Sequence, residues 1–435
     1  MLQTIRNAWK IADLRKKLLY TLFFLLLFRI GNVIPVPFVN TRTLTTLFRE
    51  QQQLQTSIFG LFNMMSGSAF SRATLFALSI QPYINASIII QLLTIAIPAL
   101  ERISKEGGEG GRKKIERITR YTTVGLGVLT GIAYWMMLKN FNVQFNSNLL
   151  IESKAAALTV ILSFTAGSTL VMWLGEQISE FGIGNGISMI LFANIVSRLP
   201  ERLISMGNNL RNDFRGYWYV ALVAVAVMIA LIVFIVFITN SERRIPIQYA
   251  KRVVGRKVYG GQNSFLPIKV NMSGVLPIIF AQSVATLPAT IAVFLNRNND
   301  DNFWYKYLWS NTSVVYQIVY MLLIIGFAYF YASIQYNPVE ISNNLRKNGG
   351  FIPGYRPGRP TSDFIKRVIN KITLFGAIFL GIVAILPNLL SMVNSRFSDL
   401  AVQGTSVIIV VAVALETMQA IEAQMLMRHY KGFLE

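Results

Sequence analysis

Ten apolar stretches, each about long enough to cross a lipid bilayer, constrain this 435-residue chain more than any other feature. A hydrocarbon core about 30 Å thick needs roughly 20 residues of helix, because backbone groups left unpaired in lipid are costly. The stretches cover residues 18–38, 74–99, 119–138, 154–175, 185–206, 217–240, 271–296, 313–336, 371–392 and 402–425. The expected fold class is therefore an all-α polytopic membrane protein with ten transmembrane helices. Only 14% of residues are charged, against about 25% in soluble domains, which excludes an ordinary water-soluble fold. The first stretch follows a basic amphipathic segment, residues 1–17, and lacks a small-residue cleavage site. It reads as a retained helix, not a signal peptide.

Charge orients the spans. Lys and Arg number 41 against 20 Asp and Glu, a formal charge of +21. With the N-terminus cytoplasmic, the inside segments hold 28 of the basic residues and the outside connections 11. That asymmetry predicts both termini inside. One segment fits neither a span nor a simple loop: residues 58–72, IFGLFNMMSGSAFSR, are too short to cross and too apolar to be fully solvated. They read as an interfacial or re-entrant helix.

The spans contain an internal echo. Pro82-Tyr83-Ile84-Asn85-Ala86-Ser87 resembles Pro277-Ile278-Ile279-Phe280-Ala281-Gln282-Ser283, and Gly186-Ile187-Ser188 resembles Gly404-Thr405-Ser406-Val407. An offset of five spans puts two halves in opposite orientations, an inverted repeat with its functional surface at the midplane. The expected organisation is a tail (1–17), two halves (18–206 and 207–425) and a second tail (426–435).

Several chemistries are excluded. The one histidine, His429, lies in the C-terminal tail and there is no cysteine, so no His relay, thiolate metal site or catalytic triad can be assembled. Of the carboxylates, Glu416 falls inside a predicted span and Glu176 and Glu422 near span ends, leaving no mid-span pair of the kind an ion-coupled carrier uses. The glycine-rich run Gly107 to Gly111, followed by Arg112, Lys113 and Lys114, lacks phosphate-loop spacing. No enzyme activity, metal or cofactor is expected. Isoleucines near span centres, Ile80, Ile84, Ile187, Ile279 and Ile409, are either lipid-facing packing or an apolar constriction that gates by dewetting.

Two connections are too elaborate to be linkers. Residues 241–270 carry branched and aromatic stretches, Ile245 to Tyr249 and Lys257 to Tyr259, around a turn at Gly255, with Leu266 to Val270 as a further extended piece. This reads as a protruding β-hairpin. Residues 337–371 carry Gly349 to Pro360, stiffened by prolines and tipped with arginine. Their charge serves topology and anionic lipid, while their ordered turns suit docking of a large acidic or RNA-bearing partner.

The most specific motifs are Ala77-Leu78-Ser79-Ile80-Gln81-Pro82-Tyr83-Ile84-Asn85-Ala86-Ser87, running on to Leu93, and Trp173-Leu174-Gly175-Glu176-Gln177-Ile178-Ser179-Glu180-Phe181-Gly182-Ile183-Gly184-Asn185-Gly186-Ile187-Ser188. With Arg243-Arg244-Ile245-Pro246, Leu266-Pro267-Ile268-Lys269-Val270-Asn271 and Gly350 to Gly358, they make the chain resemble, from end to end, the SecY family of protein-translocation channels. That resemblance implies a clamshell of two inverted five-helix halves around an hourglass pore. The family's pore ring falls on Ile80, Ile84, Ile187, Leu191, Ile279 and Ile409. Its plug falls on Phe62-Asn63-Met64-Met65-Ser66-Gly67-Ser68-Ala69-Phe70-Ser71-Arg72, and its lateral gate on Asn85, Ser283 and Leu287. Arg243, Arg244, Arg252, Arg256, Lys257, Arg356 and Arg359 fall in loops that engage the SecA motor or the ribosome. The implied partners are SecE and SecG, SecA, the ribosome, precursors bearing signal sequences, and the bilayer of the bacterial cytoplasmic membrane. The chain departs from the family's usual glycine at Ser79, its serine or threonine at Asn85 and its basic residue at Phe181. An accessory paralogue for specialised substrates, an ion-coupled transporter of a small solute and a ribosome-recruiting scaffold are the alternative readings.

Overall fold

Proline decides where the apolar stretches of this chain can be continuous helix. The computed structural model describes residues 2–50, 58–106, 108–144, 149–150, 153–212, 214–249, 252–254, 257–259, 263–272, 274–294, 313–393 and 404–431. The N-terminal part comprises α1 (Leu2–Lys10), α2 (Ala12–Gly31), α3 (Thr41–Glu50), α4 (Ile58–Met65), α5 (Gln81–Ala96), α6 (Pro98–Glu106), α7 (Gly108–Gln144), α8 (Lys154–Phe181), α9 (Gly186–Ser197), α10 (Leu199–Asn212) and α11 (Phe214–Asn240). Strands β1 (Glu242–Tyr249), β2 (Arg252–Val254), β3 (Lys257–Tyr259) and β4 (Asn263–Lys269) follow. After them come α12 (Leu276–Phe294), α13 (Val314–Gln335), α14 (Pro338–Lys347), β5 (Gly350–Phe351), α15 (Arg359–Val393) and α16 (Gly404–Lys431).

Among the described residues six helices are long and apolar enough to cross a membrane, and the pair α5 and α6, bent by 105°, raises that to seven. The expected span 74–99 is helical only from Gln81, because Pro82, with no N–H to donate, fits the first turn of a helix and not its interior. It breaks at Ile97, whose extended φ of −108° and ψ of 110° are what a following proline imposes. The expected span 18–38 ends earlier, at Gly31, ahead of Pro35 and Pro37. Within 185–206, α9 is 12 residues long and stops at Ser197, two residues short of Pro200-bearing α10.

The chain folds as two compact units, one of Met1–Trp218, Ser283–Tyr316 and Val413–Glu435, the other of Tyr219–Gln282 and Gln317–Ala412. The core of the first gathers Leu44, Phe48, Phe70, Tyr134, Leu138, Phe141, Leu149 and Phe164. Gly167 lets α8 approach the loop ahead of α5: a Cβ there would lie 1.9 Å from the Leu75 carbonyl oxygen.

The second unit carries the strands. β1 pairs antiparallel with β4, Ile245 opposite Leu266, and on its other edge with β5, Tyr249 opposite Gly350. A hairpin is present as expected, but the partner of residues 245–249 is β4; β3 pairs instead with β2, Val254 opposite Lys257. The two-residue gap between β2 and β3 makes theirs the shortest closure, leaving the outer strands to pair with each other. Alternation puts Ile245 and Ile247 inward, and Ile245 packs with Ile268, Met272, Ile352, Ile365 and Ile369. Gly376 of α15 seats the end of this sheet, its Cβ position only 2.6 Å from the Val270 carbonyl oxygen.

Candidate functional site: an anchored insertion and an apolar helix start

Between α4 and α5 the chain runs through fifteen residues of consecutive turns and one isolated bridge, residues 66–80. Gly67 (φ 66°), Ser68 (φ 70°), Ala73 (φ 44°) and Ser79 (φ 51°) lie in the left-handed region, so three side-chain-bearing residues accept strained backbone here. The expected plug, residues 62–72, is thus only partly helical: α4 contributes Phe62, Asn63, Met64 and Met65, while Ser66, Gly67, Ser68, Ala69, Phe70, Ser71 and Arg72 form turns. The helix lies earlier than expected because Gly67 and Ser68, both at positive φ, end it.

Local polar side chains build these turns. Ser66 Oγ accepts from the Phe70 N–H (3.0 Å), and Asn63 Oδ1 accepts from the Ser71 N–H (3.0 Å). Distant groups then fix the segment in place. The Tyr134 hydroxyl of α7 donates to the Phe70 carbonyl (2.5 Å), and Thr45 of α3 donates to the Ser71 carbonyl (3.2 Å). The chain after α2 adds backbone pairing, Val36 N–H to Ala73 and Leu75 N–H to Ile34. Phe70 is ringed by Tyr134 (centroids 4.6 Å), Phe62 (5.9 Å), Phe48 (6.0 Å) and Phe59 (6.4 Å), edge-to-face and offset packings that hold a ring beyond its area burial.

The end of the segment delivers the expected pore residues. Ile80 is fully buried and Ile84 4% exposed at the start of α5; Leu191 on α9 is 1% exposed and Ile187 half-buried. Ile80 and Ile187 both approach Gly175 of α8, where a Cβ would lie 3.4 Å from Ile80 Cδ1 and 3.7 Å from Ile187 Cγ1. In the other unit Ile279 and Ile409 are buried on α12 and α16. Of the gate residues, Asn85 is half-buried on α5 and Ser283 buried on α12; the side chain of Leu287 is outside the described residues.

The basic residues sit differently. Arg243 and Arg244 project from β1 into solvent, Arg244 pairing with Glu242 at 2.6 Å. Arg252 and Lys257 fall on β2 and β3, and Arg256 lies outside the described residues. Arg356 and Arg359 are exposed; the turn bearing Arg356 is closed by Thr361 Oγ1 donating to its carbonyl (2.8 Å). Sequence reasoning missed Asn32, Tyr134 and Asn194, the distant groups that reach the 58–80 segment or its neighbours; the one available signal was an amide inside the apolar run Leu191 to Val196.

A multi-span helical protein with a turn-rich insertion ahead of an isoleucine-bearing helix, and basic loops joined in one sheet, belongs to the class of polytopic membrane channels. The SecY family model matches residues 74–418, and the chain is 41% identical over its whole length, and the whole of the relative's, to the protein translocase subunit SecY of Streptomyces scabiei. Solved structures at 20% identity share the fold over 94% of this chain and 92% of theirs: a protein-conducting channel (TM-score 0.66), a SecY channel with a plug domain (0.63) and Sec61 of the canine ribosome-channel complex (0.62). The chain is a member of the SecY family.

Proposed function

We propose that the chain is the central, passive pore of a protein-conducting channel that passes secretory polypeptides across the membrane and releases apolar segments sideways into lipid. The observation that carries this reading is the anchored segment 58–80 running directly into Ile80 and Ile84. The seated segment leads straight into buried apolar side chains, and none of the expected ring positions carries charge. Branched apolar side chains bind no sequence strongly, part widely enough for an extended chain, and resist wetting when together. In this reading Ile80, Ile84, Ile187, Leu191, Ile279 and Ile409 form the constriction, and residues 62–72 the plug. Asn85, Ser283 and Leu287 line the gate, through which apolar segments gain by entering lipid.

The pore supplies no energy of its own. Arg243, Arg244, Arg252, Arg256, Lys257, Arg356 and Arg359 present positive charge to SecA or to ribosomal RNA, with SecE and SecG as small membrane subunits. The chain resides in the bacterial cytoplasmic membrane with both termini inside, in two inverted halves. Because the chain has no cysteine, single cysteines at positions 84, 187, 279 and 409 can each be crosslinked to an arrested precursor. Crosslinks at all four are expected. Precursor contacts confined to the basic loops, with none at these positions, would overturn the pore assignment.

A further inference from the structure

Asn194, near the end of α9, is fully buried, and its amide has three partners, both its donors being used. Its Nδ2 donates to the Met65 carbonyl (3.0 Å) and to Ser79 Oγ (3.2 Å), and its Oδ1 accepts from Asn32 Nδ2 (3.2 Å). Met65 is the last residue of α4 and Ser79 lies two residues before α5. One amide therefore grips both ends of the turn-rich segment, while Asn32 of the loop after α2 orients it. The Met65 carbonyl is among those a helix terminus leaves without an internal partner, so the amide meets a need the helix cannot meet itself.

Two further details show the fit. Gly67 lies against the same amide: a Cβ there would come 2.9 Å from Asn194 Oδ1, on a backbone already at φ 66°. Ser79 is held at φ 51°, where a side chain costs free energy unless its surroundings compensate; its hydroxyl accepts from Asn194 and its N–H donates to the Phe76 carbonyl (2.8 Å). Serine at this position, in place of the family's usual glycine, thus supplies the acceptor that the Asn194 amide uses.

We propose that Asn194 is the positioning residue that latches the plug in its seat, acting through Met65 and Ser79 at the segment's two ends. Release breaks both donor bonds together and leaves a buried amide with nothing to donate to, so the segment is either seated or free, with little gain from partial withdrawal. The proposal rests on the channel reading above.

The test is ion leak through the complete membrane complex in planar bilayers without motor or ribosome. Asn194→Ala should raise the leak roughly ten-fold through loss of two hydrogen bonds. Ser79→Ala should raise it less, and the double variant no more than Asn194→Ala. Asn194→Asp keeps the shape and the acceptor for Asn32 but as a carboxylate cannot donate. It should leak about as much as Asn194→Ala. Tight behaviour of both Asn194 variants, or a double variant whose leak is the product of the two single effects, overturns the latch. If Asn194→Ala fails to assemble, Asn194→Asp, which keeps the size and the Asn32 contact, decides. Deletion of residues 62–72 separates the two readings: a deletion that leaks beside tight Asn194 variants sinks the latch alone, whereas a deletion as tight as the parent sinks the channel reading.

Discussion

The segment 58–80 and the loops around β1 are both irregular connections between apolar helices, and both are seated by a helix glycine that admits a foreign carbonyl oxygen, Gly167 for Leu75 and Gly376 for Val270. They are held in opposite ways. The loops are tied by a backbone ladder of seven β1–β4 positions, with Arg243 and Arg244 exposed on β1. The segment is tied largely by side chains of other elements, Tyr134, Thr45 and Asn194, reaching its carbonyls and one hydroxyl. A ladder forms and breaks as a unit and makes a rigid platform. Side-chain ties of about 1 kcal/mol each can be surrendered without unfolding the helices that supply them. In the proposed channel, the first arrangement suits a surface that presents charge while staying put, the second a segment that stays put until displaced.

The contrast can be broken most forcefully at the glycines. Gly167→Ala drives a methyl into backbone at 1.9 Å and should cost several kcal/mol, at least the ~1–3 kcal/mol usual for overpacking, abolishing recovery of folded protein in detergent. Gly376→Ala, at 2.6 Å, should give a smaller fall in melting temperature. Equal effects would mean that the two seats are equally tight.

Truncating the buried anchors comes next. Phe70→Ala should destabilise by about 3–5 kcal/mol and Ile245→Ala by about 2–5 kcal/mol, with different consequences. The first should open an ion leak in the resting complex; the second should leave the resting complex tight and impair motor-driven translocation. A leak from Ile245→Ala would erase the distinction.

Tyr134→Phe removes only the bond to the Phe70 carbonyl. A loss of about 1 kcal/mol in thermal stability is expected, with a modest rise in leak measured in bilayers. Smallest in stability is Arg356→Glu, an exposed position expected to stay within about 0.5 kcal/mol of the parent. Translocation by the motor should nevertheless be lost in a complex that still assembles; normal translocation would remove Arg356 from the docking surface.

The sequence made much of this legible. Hydrophobic runs register locally, so α7, α8, α11, α13, α15 and α16 were visible as spans, and Pro82 marked where a helix could begin. The family motifs singled out Ile80 and Ile187, and the fold brings each of them up to Gly175. Where α4 ends is not legible, because positive φ at Gly67 and Ser68 leaves little trace in hydropathy. The partner of β1 was misjudged, since β2 and β3 offered a nearer candidate, and the two residues of β5 are too few to carry a strand pattern.

Apolar length and proline position determined that this chain enters a membrane and roughly where its helices can run, because each depends on neighbours a few residues apart and on the solvent they meet. Tertiary structure alone decided that Asn194, an amide lost in an apolar run, meets Asn32, Met65 and Ser79, that Tyr134 caps Phe70, and that two loops far apart in sequence share a sheet. Those contacts depend on groups separated by up to 162 residues, and a hydrogen bond is specified only when folding has brought both partners within about 3 Å.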